Sequence, residues 1–277
     1  MQRLFNPLTL LLAVALNANC HAIEDQPKPA KDQNNAAPDS KRSSGNPKVD
    51  QILDRLESKG QSIKGLACKI NHKHVTVEPV EDESNKEGEL LFAKGDPNSK
   101  FLVVFKKLRA AGVIRDTGEH FAFDGRWLIE RNDKDKRIIK REVAKPGETK
   151  DLFEIGKGAF PLPFGQKRAD MLSQFKIDLA DFTLGDPRNT DHLHCVPLPD
   201  TPLAAKYKRI EIFVDRTLEL PVRIVTERIE DDSRIEVDFK DVDISAAPAG
   251  SRFKIDEPKD YIVSTEPLAD PTTQPSK

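Results

Sequence analysis

Alternation of apolar and charged residues in the C-terminal half of this sequence constrains its fold more than any other feature. In one segment, Ile235, Val237 and Phe239 alternate with Glu236 and Asp238. Successive side chains of a β-strand point to opposite faces of the sheet. Segments of this kind therefore predict an antiparallel sheet with one apolar face and one charged, solvated face.

Similar segments recur along most of the chain. Turn clusters such as Asp96-Pro97-Asn98-Ser99 and Asp124-Gly125 separate them. We expect strands at residues 66–77, 90–93, 101–105, 137–143, 192–198, 209–214, 222–229, 235–244 and 253–255, and a hairpin at 121–129.

Helical spacing is confined to the start and the middle of the predicted domain. An apolar stripe with the spacing i, i+3, i+4 and i+7 predicts a helix between Pro47 and Gly60; its members are Val49, Ile52, Leu53 and Leu56. Residues 151–160 and 166–175 predict two shorter helices inserted among the strands. Together these elements predict an α+β fold, in which a curved antiparallel sheet carries an N-terminal helix and a helical insert on its concave face.

The N-terminal segment is typical of a cleaved secretory signal. Arg3 supplies a positive charge, residues 8–16 are apolar, and Ala22 is a small residue before the composition changes. We therefore predict a signal peptide at residues 1–22 and export to the periplasm. Lipidation of Cys20 is an alternative, which the polar residues just before it disfavour.

Composition sets further limits on the class of protein. The 277 residues include 44 basic and 46 acidic side chains, for a net charge of −2, so there is no overall basic field for nucleic acid. Hydrophobic residues make up 37% and charged residues 32%. Much of this polarity lies in residues 23–48 and 266–277, which predict a disordered linker and tail around one domain at 49–265.

Catalytic motifs are absent from the sequence. It contains no Gly-x-Ser-x-Gly, P-loop, His-Glu-x-x-His or Cys-x-x-Cys pattern, so we expect a protein that is not an enzyme and has no cofactor. Two His-x-His pairs, His72 with His74 and His192 with His194, would offer ligands for Zn or Cu if the four imidazoles met.

The cysteines bear on that metal hypothesis. Cys68 and Cys195 remain after the signal segment, and a disulfide between them is reasonable in a secreted protein. Cys68 shares strand parity with the first His pair, whereas Cys195 has the opposite parity to the second pair. A disulfide between regular neighbouring strands would therefore place the two His pairs on opposite faces. Unless a β-bulge intervenes, the disulfide and the four-histidine site exclude each other, and we favour the disulfide.

Apolar residues of the predicted sheet and insert form the strongest candidate site. They are Phe92, Phe101, Phe105, Phe123, Trp127, Phe160, Phe164, Leu172 and Phe175. On a curved sheet under helices, such residues would line a lipid pocket. An ordinary hydrophobic core is the alternative, and the pattern alone favours the core.

Several short motifs, taken in order, carry a family resemblance. Residues 49–56 form the opening helix, residues 88–94 begin with Gly and end in a basic residue, and residues 123–128 contain an Asp-Gly turn before Trp. Further motifs are the Pro-rich residues 160–165, the strand pair 207–212 and 220–222, and the segments 253–258 and 260–263 with the spacing Phe-x-x-x-x-Pro. In this order they resemble the LolA-like family of periplasmic outer-membrane lipoprotein carriers, and more closely its planctomycete-type lipoprotein-sorting members.

The resemblance implies a half-barrel with a helical lid over an acyl-chain cavity. It implies a monomeric periplasmic carrier that binds lipid or lipoprotein acyl chains and moves them from an inner-membrane donor toward an outer-membrane acceptor. It also implies a basic lid-switch residue at the end of the second strand, here Lys94. Two alternatives are an envelope module of the same fold that senses a lipid or protein signal, and a secreted protein that binds metal through its His-x-His pairs.

Overall fold

Twelve β-strands make up one sheet in the computed structural model, which describes residues 42–76, 82–96, 98–148 and 166–268. The strands are β1 Gly65–Thr76, β2 Asp82–Ala93, β3 Lys100–Ala110, β4 Val113–Phe123, β5 Trp127–Asn132, β6 Arg137–Glu142, β7 Phe175–Leu179, β8 Thr190–Pro197, β9 Tyr207–Asp215, β10 Pro221–Arg228, β11 Arg234–Asp243 and β12 Ile262–Glu266.

The order of the strands follows two meanders joined side by side. It runs β12-β6-β5-β4-β3-β2-β1-β11-β10-β9-β8-β7, so β1 of the first meander pairs with β11 of the second. Every pair is antiparallel except β12 with β6, which is parallel. The sheet is curved and unclosed, and its edges among the described strands are β12 and β7. This is the α+β half-barrel class that the alternating segments predict.

The N-terminal helix, α1, spans Pro47–Ser62 and begins where the sequence indicates. The Asn46 side chain accepts a hydrogen bond from the Lys48 backbone N–H, and Pro47 occupies the first helical position. All members of the apolar stripe are buried. A second helix, α2, spans Arg168–Gln174 and contacts both α1 and β7. No helix among the described residues is long and apolar enough to cross a membrane.

The helices divide the sheet into two unlike surfaces. We call the face on which α1 packs the helix-covered face, and the opposite one the open face. The core lies between α1, α2 and the helix-covered face; its sheet residues include Leu66, Ile70, Leu90, Phe101, Val103, Phe105, Phe123, Leu193, Ile212 and Phe239. Strand alternation places their neighbours on the open face.

Residues 244–261, here called the C-terminal strap, connect β11 to β12. Strand β12 pairs with β6 on the side away from β5. The strap passes so close to β1 that a Cβ added at Gly65 would lie 2.3 Å from the Ala246 carbonyl oxygen. A 3₁₀ helix, Gly250–Phe253, contacts β3 and buries Phe253 almost completely. At the end of the strap, the Tyr261 hydroxyl donates to Asp133 at 3.0 Å.

Three details of the predicted secondary structure need correction. The strand predicted at 253–255 is wrong, because Phe253 belongs to the 3₁₀ helix and buries its ring by packing rather than by strand pairing. The helix predicted at 166–175 ends at Gln174, and Phe175 opens β7, which pairs with β8. Strand β12 was not predicted, since four of its five residues are exposed and carry no alternating pattern.

Some predicted segments lie outside the described residues. They include the signal peptide at 1–22, most of the linker at 23–48, the helix at 151–160 and nearly all of the tail at 266–277. The described chain extends slightly beyond the predicted domain of 49–265 at both ends. Contacts begin at Arg42, whose guanidinium donates to the Leu172 carbonyl, and β12 continues to Glu266.

Candidate functional site

Six of the nine predicted pocket residues lie together in the core under the helices. They are Phe92, Phe101, Phe105, Phe123, Leu172 and Phe175, each at most 8% exposed. Phe101 and Phe123 are paired residues on β3 and β4, with ring centroids 6.3 Å apart. The predicted residues Phe160 and Phe164 lie outside the described residues.

Trp127 does not join this cluster, which differs from the prediction. Its neighbour Leu128 pairs with Phe123 and is buried in the core, so Trp127 points toward the open face. The Arg126 guanidinium lies over its ring, 5.3 Å from the centroid. A hairpin turn at Asp124 and Gly125 shifts the parity after Phe123, and the alternation seen in sequence therefore did not continue across the turn.

The described helices and sheet meet closely, with one small cavity at their seam. Its volume is about 10 Å³, and it is lined by Leu53, Leu56, Gln166, Met171, Ile212, Pro221 and Ile224. Such a space holds about one water molecule. This cavity between the described helices and sheet is thus too small for an acyl chain.

Polar contacts fasten the helices at the rim of the core. Arg168, only 8% exposed, pairs with Asp50 and Asp54 of α1 at 2.9 Å, and its backbone N–H donates to Glu57. Its Nε donates to the Arg42 carbonyl. One side chain thus joins α2, α1 and the segment before α1. Sequence reasoning missed this role, because a single Arg near the start of a short predicted helix carries no pattern of its own.

A second rim contact ties α1 to the end of the sheet. Arg55 of α1 and Arg216 of the β9–β10 turn both donate to Asp191 on β8, at 3.2 and 2.9 Å. Asp191 is 4% exposed, so two guanidinium groups compensate a buried carboxylate. Both rim contacts are polar, whereas the surface between them is apolar.

Lys94, the predicted lid-switch residue, lies at the C-terminal end of α1. It is exposed, and its Nζ donates to the Gln61 carbonyl at 2.9 Å. Its backbone N–H donates to the Lys64 carbonyl. A cation here interacts favourably with the carbonyl end of the helix dipole. Lys94 therefore touches the covering helix, and its action as a switch stays a prediction.

The helix-covered face also contains a buried polar group that sequence reasoning did not single out. Lys86 on β2 and Glu119 on β4 form an ion pair at 2.6 Å, with side chains 8% and 9% exposed. His72 pairs with Lys86 across β1 and β2 and packs edge-on against Phe105. The sequence did contain a signal for this burial. In each of the three strands, the polar residue lies an even number of positions from buried apolar residues and therefore shares their face.

Burial controls the charge of His72. Loss of solvent lowers the pKa of its imidazole to about 4, and the nearby Lys86 ammonium acts in the same direction. His72 is therefore neutral at pH 7. The pKa of His74, two residues further along the strand, is also lowered by burial.

The His-x-His pairs and the cysteines lie on widely separated strands. Three strands, β11, β10 and β9, stand between β1 and β8. His72 faces the helices, while His192 and His194 flank the core residue Leu193 and face the other way. The structure does not bring the four imidazoles together, and the described residues contain no group of three or more ligands suited to a metal ion.

Cys68 and Cys195 are both free thiols buried in the core. Since their strands are not neighbours, the expected cross-strand disulfide is not formed, and the prediction is wrong for this structure. Desolvation raises the pKa of the Cys68 thiol to about 12 and also raises the pKa of Cys195. Both are therefore weak nucleophiles at neutral pH.

Comparison with known proteins gives similarity of fold at low sequence identity. No protein-family model matches the chain, and no curated protein matches it in sequence. A solved structure of an uncharacterized conserved protein from Thermus thermophilus has a TM-score of 0.46 and 12% identity, over 79% of this chain and 99% of that one.

Two further solved structures illustrate the range. The Pseudomonas aeruginosa MucA/MucB complex has a TM-score of 0.41 and 13% identity, over 76% of this chain and 61% of that one. A LolA superfamily protein from Nitrosomonas europaea has a TM-score of 0.35 and 13% identity, over 74% of this chain and 97% of that one. The last of these belongs by its description to the superfamily that the sequence motifs resemble.

Proposed function

We propose that the protein is a periplasmic carrier that binds the acyl chains of a lipid or lipoprotein between its helices and the helix-covered face. One observation carries the proposal: the apolar stripe of α1 belongs to one buried cluster with the apolar residues of the helix-covered face, and the polar attachments of α1 lie at the rim through Arg168 and Asp191. In this proposal the helices lift from the seam at Leu53 and Ile224, and an acyl chain replaces them.

The free energies of the two states are of similar size, which makes the exchange feasible. Lifting α1 exposes Val49, Ile52, Leu53 and Leu56, while the sheet beneath is covered again by the acyl chain. At about 1.5–3 kcal/mol for each buried side chain, exposing these four side chains costs roughly 6–12 kcal/mol. Burying an acyl chain of about sixteen carbons returns about 0.8 kcal/mol per methylene, or roughly 12 kcal/mol. A bound chain would therefore compensate for the displaced helix.

The absence of catalytic motifs supports binding rather than catalysis as the activity. The signal-like N-terminus supports a periplasmic location, where water-insoluble acyl chains need shielding between membranes. A carrier of this kind would receive its cargo from an inner-membrane donor and release it to an outer-membrane acceptor. The protein would act as a monomer without a cofactor or bound nucleic acid.

A disulfide lock across the seam tests the proposal. Leu53 on α1 and Ile224 on β10 line the same small cavity, so Leu53→Cys with Ile224→Cys places two thiols across the seam for oxidation to a disulfide. The native thiols interfere little, because burial raises the pKa values of Cys68 and Cys195. Native mass spectrometry would measure acyl species carried by protein that is secreted to the periplasm, and those taken up after delipidation.

We expect acyl species on the unaltered protein, uptake by the reduced double variant, and no uptake by the oxidised one. Leu53→Cys alone, treated with the same oxidant, is the matched control and should take up lipid. The proposal fails if the unaltered protein carries no acyl species and takes up none, or if the locked and reduced proteins bind lipid equally.

A further inference from the structure

The β3–β4 hairpin ends in an apolar tip that no part of the core uses. Ala110 pairs with Val113, and Ala111 and Gly112 form the turn with φ angles of 49° and 73°. Two successive positive φ values define the tight turn that fits the twist of a two-stranded hairpin. A Cβ added at Gly112 would meet no atom within 4 Å, so the tip projects into solvent.

Two large apolar side chains occupy this tip on opposite faces of the hairpin. Val113 is 62% exposed and Ile114 is 54% exposed. They are adjacent on β4, and adjacent strand residues point to opposite sides. An apolar tip that is exposed on both sides has no packing role within the described part of the chain.

Basic side chains lie directly behind the tip. Arg109 pairs with Ile114 and shares its face, and Arg115 follows Val113 by two residues on the other face. Two residues of a strand span about 7 Å. One face of the hairpin therefore presents Ile114 with Arg109 beside it. The other face presents Val113 with Arg115 about 7 Å behind it, and both arginines are exposed.

Among the described residues, positive charge is in excess around the tip. Asp116 pairs with Lys107 at 2.6 Å, and Glu83 pairs with Lys73 at 2.8 Å. Asp82, at the start of β2, lines the same surface pocket as Arg109 and Gly112. Of the described side chains at the tip, two cations and one anion thus remain after the ion pairs.

We infer that this hairpin tip inserts edge-on into the surface of a lipid bilayer that contains anionic headgroups. Apolar side chains at an interface reach about 5–10 Å into the boundary between headgroups and acyl chains. With the tip inserted, the arginines stand at the level of the headgroup phosphates on both sides of the hairpin. A groove on a protein would contact one face, whereas a bilayer surrounds the hairpin and suits cations on both faces.

The occupant of this surface is therefore a membrane, and the inference concerns a different region from the proposed acyl-chain site. The tip lies at the end of the strands away from the turn at Asp124 and Gly125, where β4 ends and β5 begins. Membrane docking and acyl-chain binding can fail separately, because a variant of the tip leaves the seam between α1 and the sheet untouched.

Flotation with unilamellar vesicles tests the inference. Vesicles of phosphatidylethanolamine and phosphatidylglycerol at a ratio of 3:1 provide anionic headgroups, and phosphatidylcholine vesicles are the neutral comparison. We expect the full chain to float with the anionic vesicles and to float less with the neutral ones. Val113→Thr with Ile114→Thr keeps β-branched side chains and should weaken partitioning about tenfold or more.

Two control variants distinguish the contribution of the tip from nonspecific hydrophobic binding and from nonspecific electrostatic binding. Phe182 and Leu184, 64% and 101% exposed, lie in the β7–β8 loop, and Phe182→Ser with Leu184→Ser should leave partitioning unchanged. Arg109→Gln with Arg115→Gln should weaken binding and flatten its salt dependence. Lys240→Gln, at an exposed position on β11, should do neither. Circular dichroism confirms that each variant is folded.

Three results would overturn the inference. They are no flotation of the full chain with anionic vesicles, equal flotation with anionic and neutral vesicles, and equal weakening by the tip variant and the β7–β8 loop variant. In none of these cases would lipid uptake in the disulfide-lock experiment change, since that experiment measures the helix-covered face.

Discussion

The two faces of the same sheet are covered in different ways. On the helix-covered face, α1 buries a complete apolar stripe, and Ile52 is fully buried. The C-terminal strap buries one large aromatic residue of its own, Phe253, and makes polar contacts such as Lys140 with Glu257 and Tyr261 with Asp133. Ala122 and Ile138 on the same face of the sheet are fully buried as well. The contacts of the strap are thus a mixture of apolar and polar ones, whereas α1 presents an apolar stripe that a lipid could replace.

This difference explains the low apolar content of the chain. A sheet with apolar residues on one face needs fewer of them than a sheet buried on both sides. Charged side chains on the open face pair with one another, as Arg223 does with Asp238 at 2.6 Å. On the helix-covered face, Lys86 and Glu119 are buried as an ion pair, and His72 is buried in its neutral form.

The largest effect that would break this comparison is expected at the buried ion pair. Lys86→Met leaves the Glu119 carboxylate in the core without its cation, and removing one partner of a buried pair costs about 3–5 kcal/mol. Urea denaturation at pH 7 measures the change in the free energy of unfolding. Lys86→Met with Glu119→Leu is the control and should recover most of the loss. Equal destabilisation in the single and double variants would contradict the role of an unpaired charge.

The next effect concerns pH and the neutral state of His72. Its pKa is about 4 in the folded protein and 6.5 when unperturbed, which corresponds to about 3 kcal/mol at roughly 1.4 kcal/mol per pH unit. The unfolded chain takes up the proton first, so stability falls as the pH drops from 6.5 to 4 and this contribution ends below 4.

His72→Gln removes that contribution and should flatten this part of the profile relative to the unaltered protein. Urea midpoints measured between pH 7 and pH 4 provide the comparison. Acidic groups and His74 titrate in both proteins and cancel in the difference. A variant whose midpoint falls as steeply as that of the unaltered protein would show that His72 is not buried in its neutral form.

The smallest effect compares the same substitution in the covering helix α1 and in the edge strand β12, which follows the strap. Ile52→Val in α1 removes a methyl group that is fully buried and should cost about 0.5–1.5 kcal/mol. Ile262→Val in β12, at a residue 70% exposed, should change stability by about 0.5 kcal/mol or less. Thermal or urea unfolding measures both. If Ile262→Val proved the more damaging, β12 would bury an apolar surface that the comparison assigns only to α1.

Local patterns predicted the secondary-structure elements and their buried faces better than they predicted which elements are adjacent in space. The stripe of α1, most strands and the inward-facing positions of Val237 and Phe239 all follow from spacing within one segment. The disulfide failed because it required β1 and β8 to be adjacent, and adjacency depends on how two meanders join. Trp127 failed because a turn after Phe123 reset the alternation.

The sequence by itself determined that this chain forms an antiparallel sheet with one apolar face and an amphipathic helix to cover it. Those properties follow from the periods of 2 and 3.6 residues, which act over short stretches of chain. Only the tertiary structure decided that Arg168 fastens both helices, that Lys86 and Glu119 meet inside the core, and that Val113 and Ile114 remain exposed at a projecting tip. Each of these depends on contacts between segments far apart in sequence, whose pairing is set by packing and by the balance of buried charge.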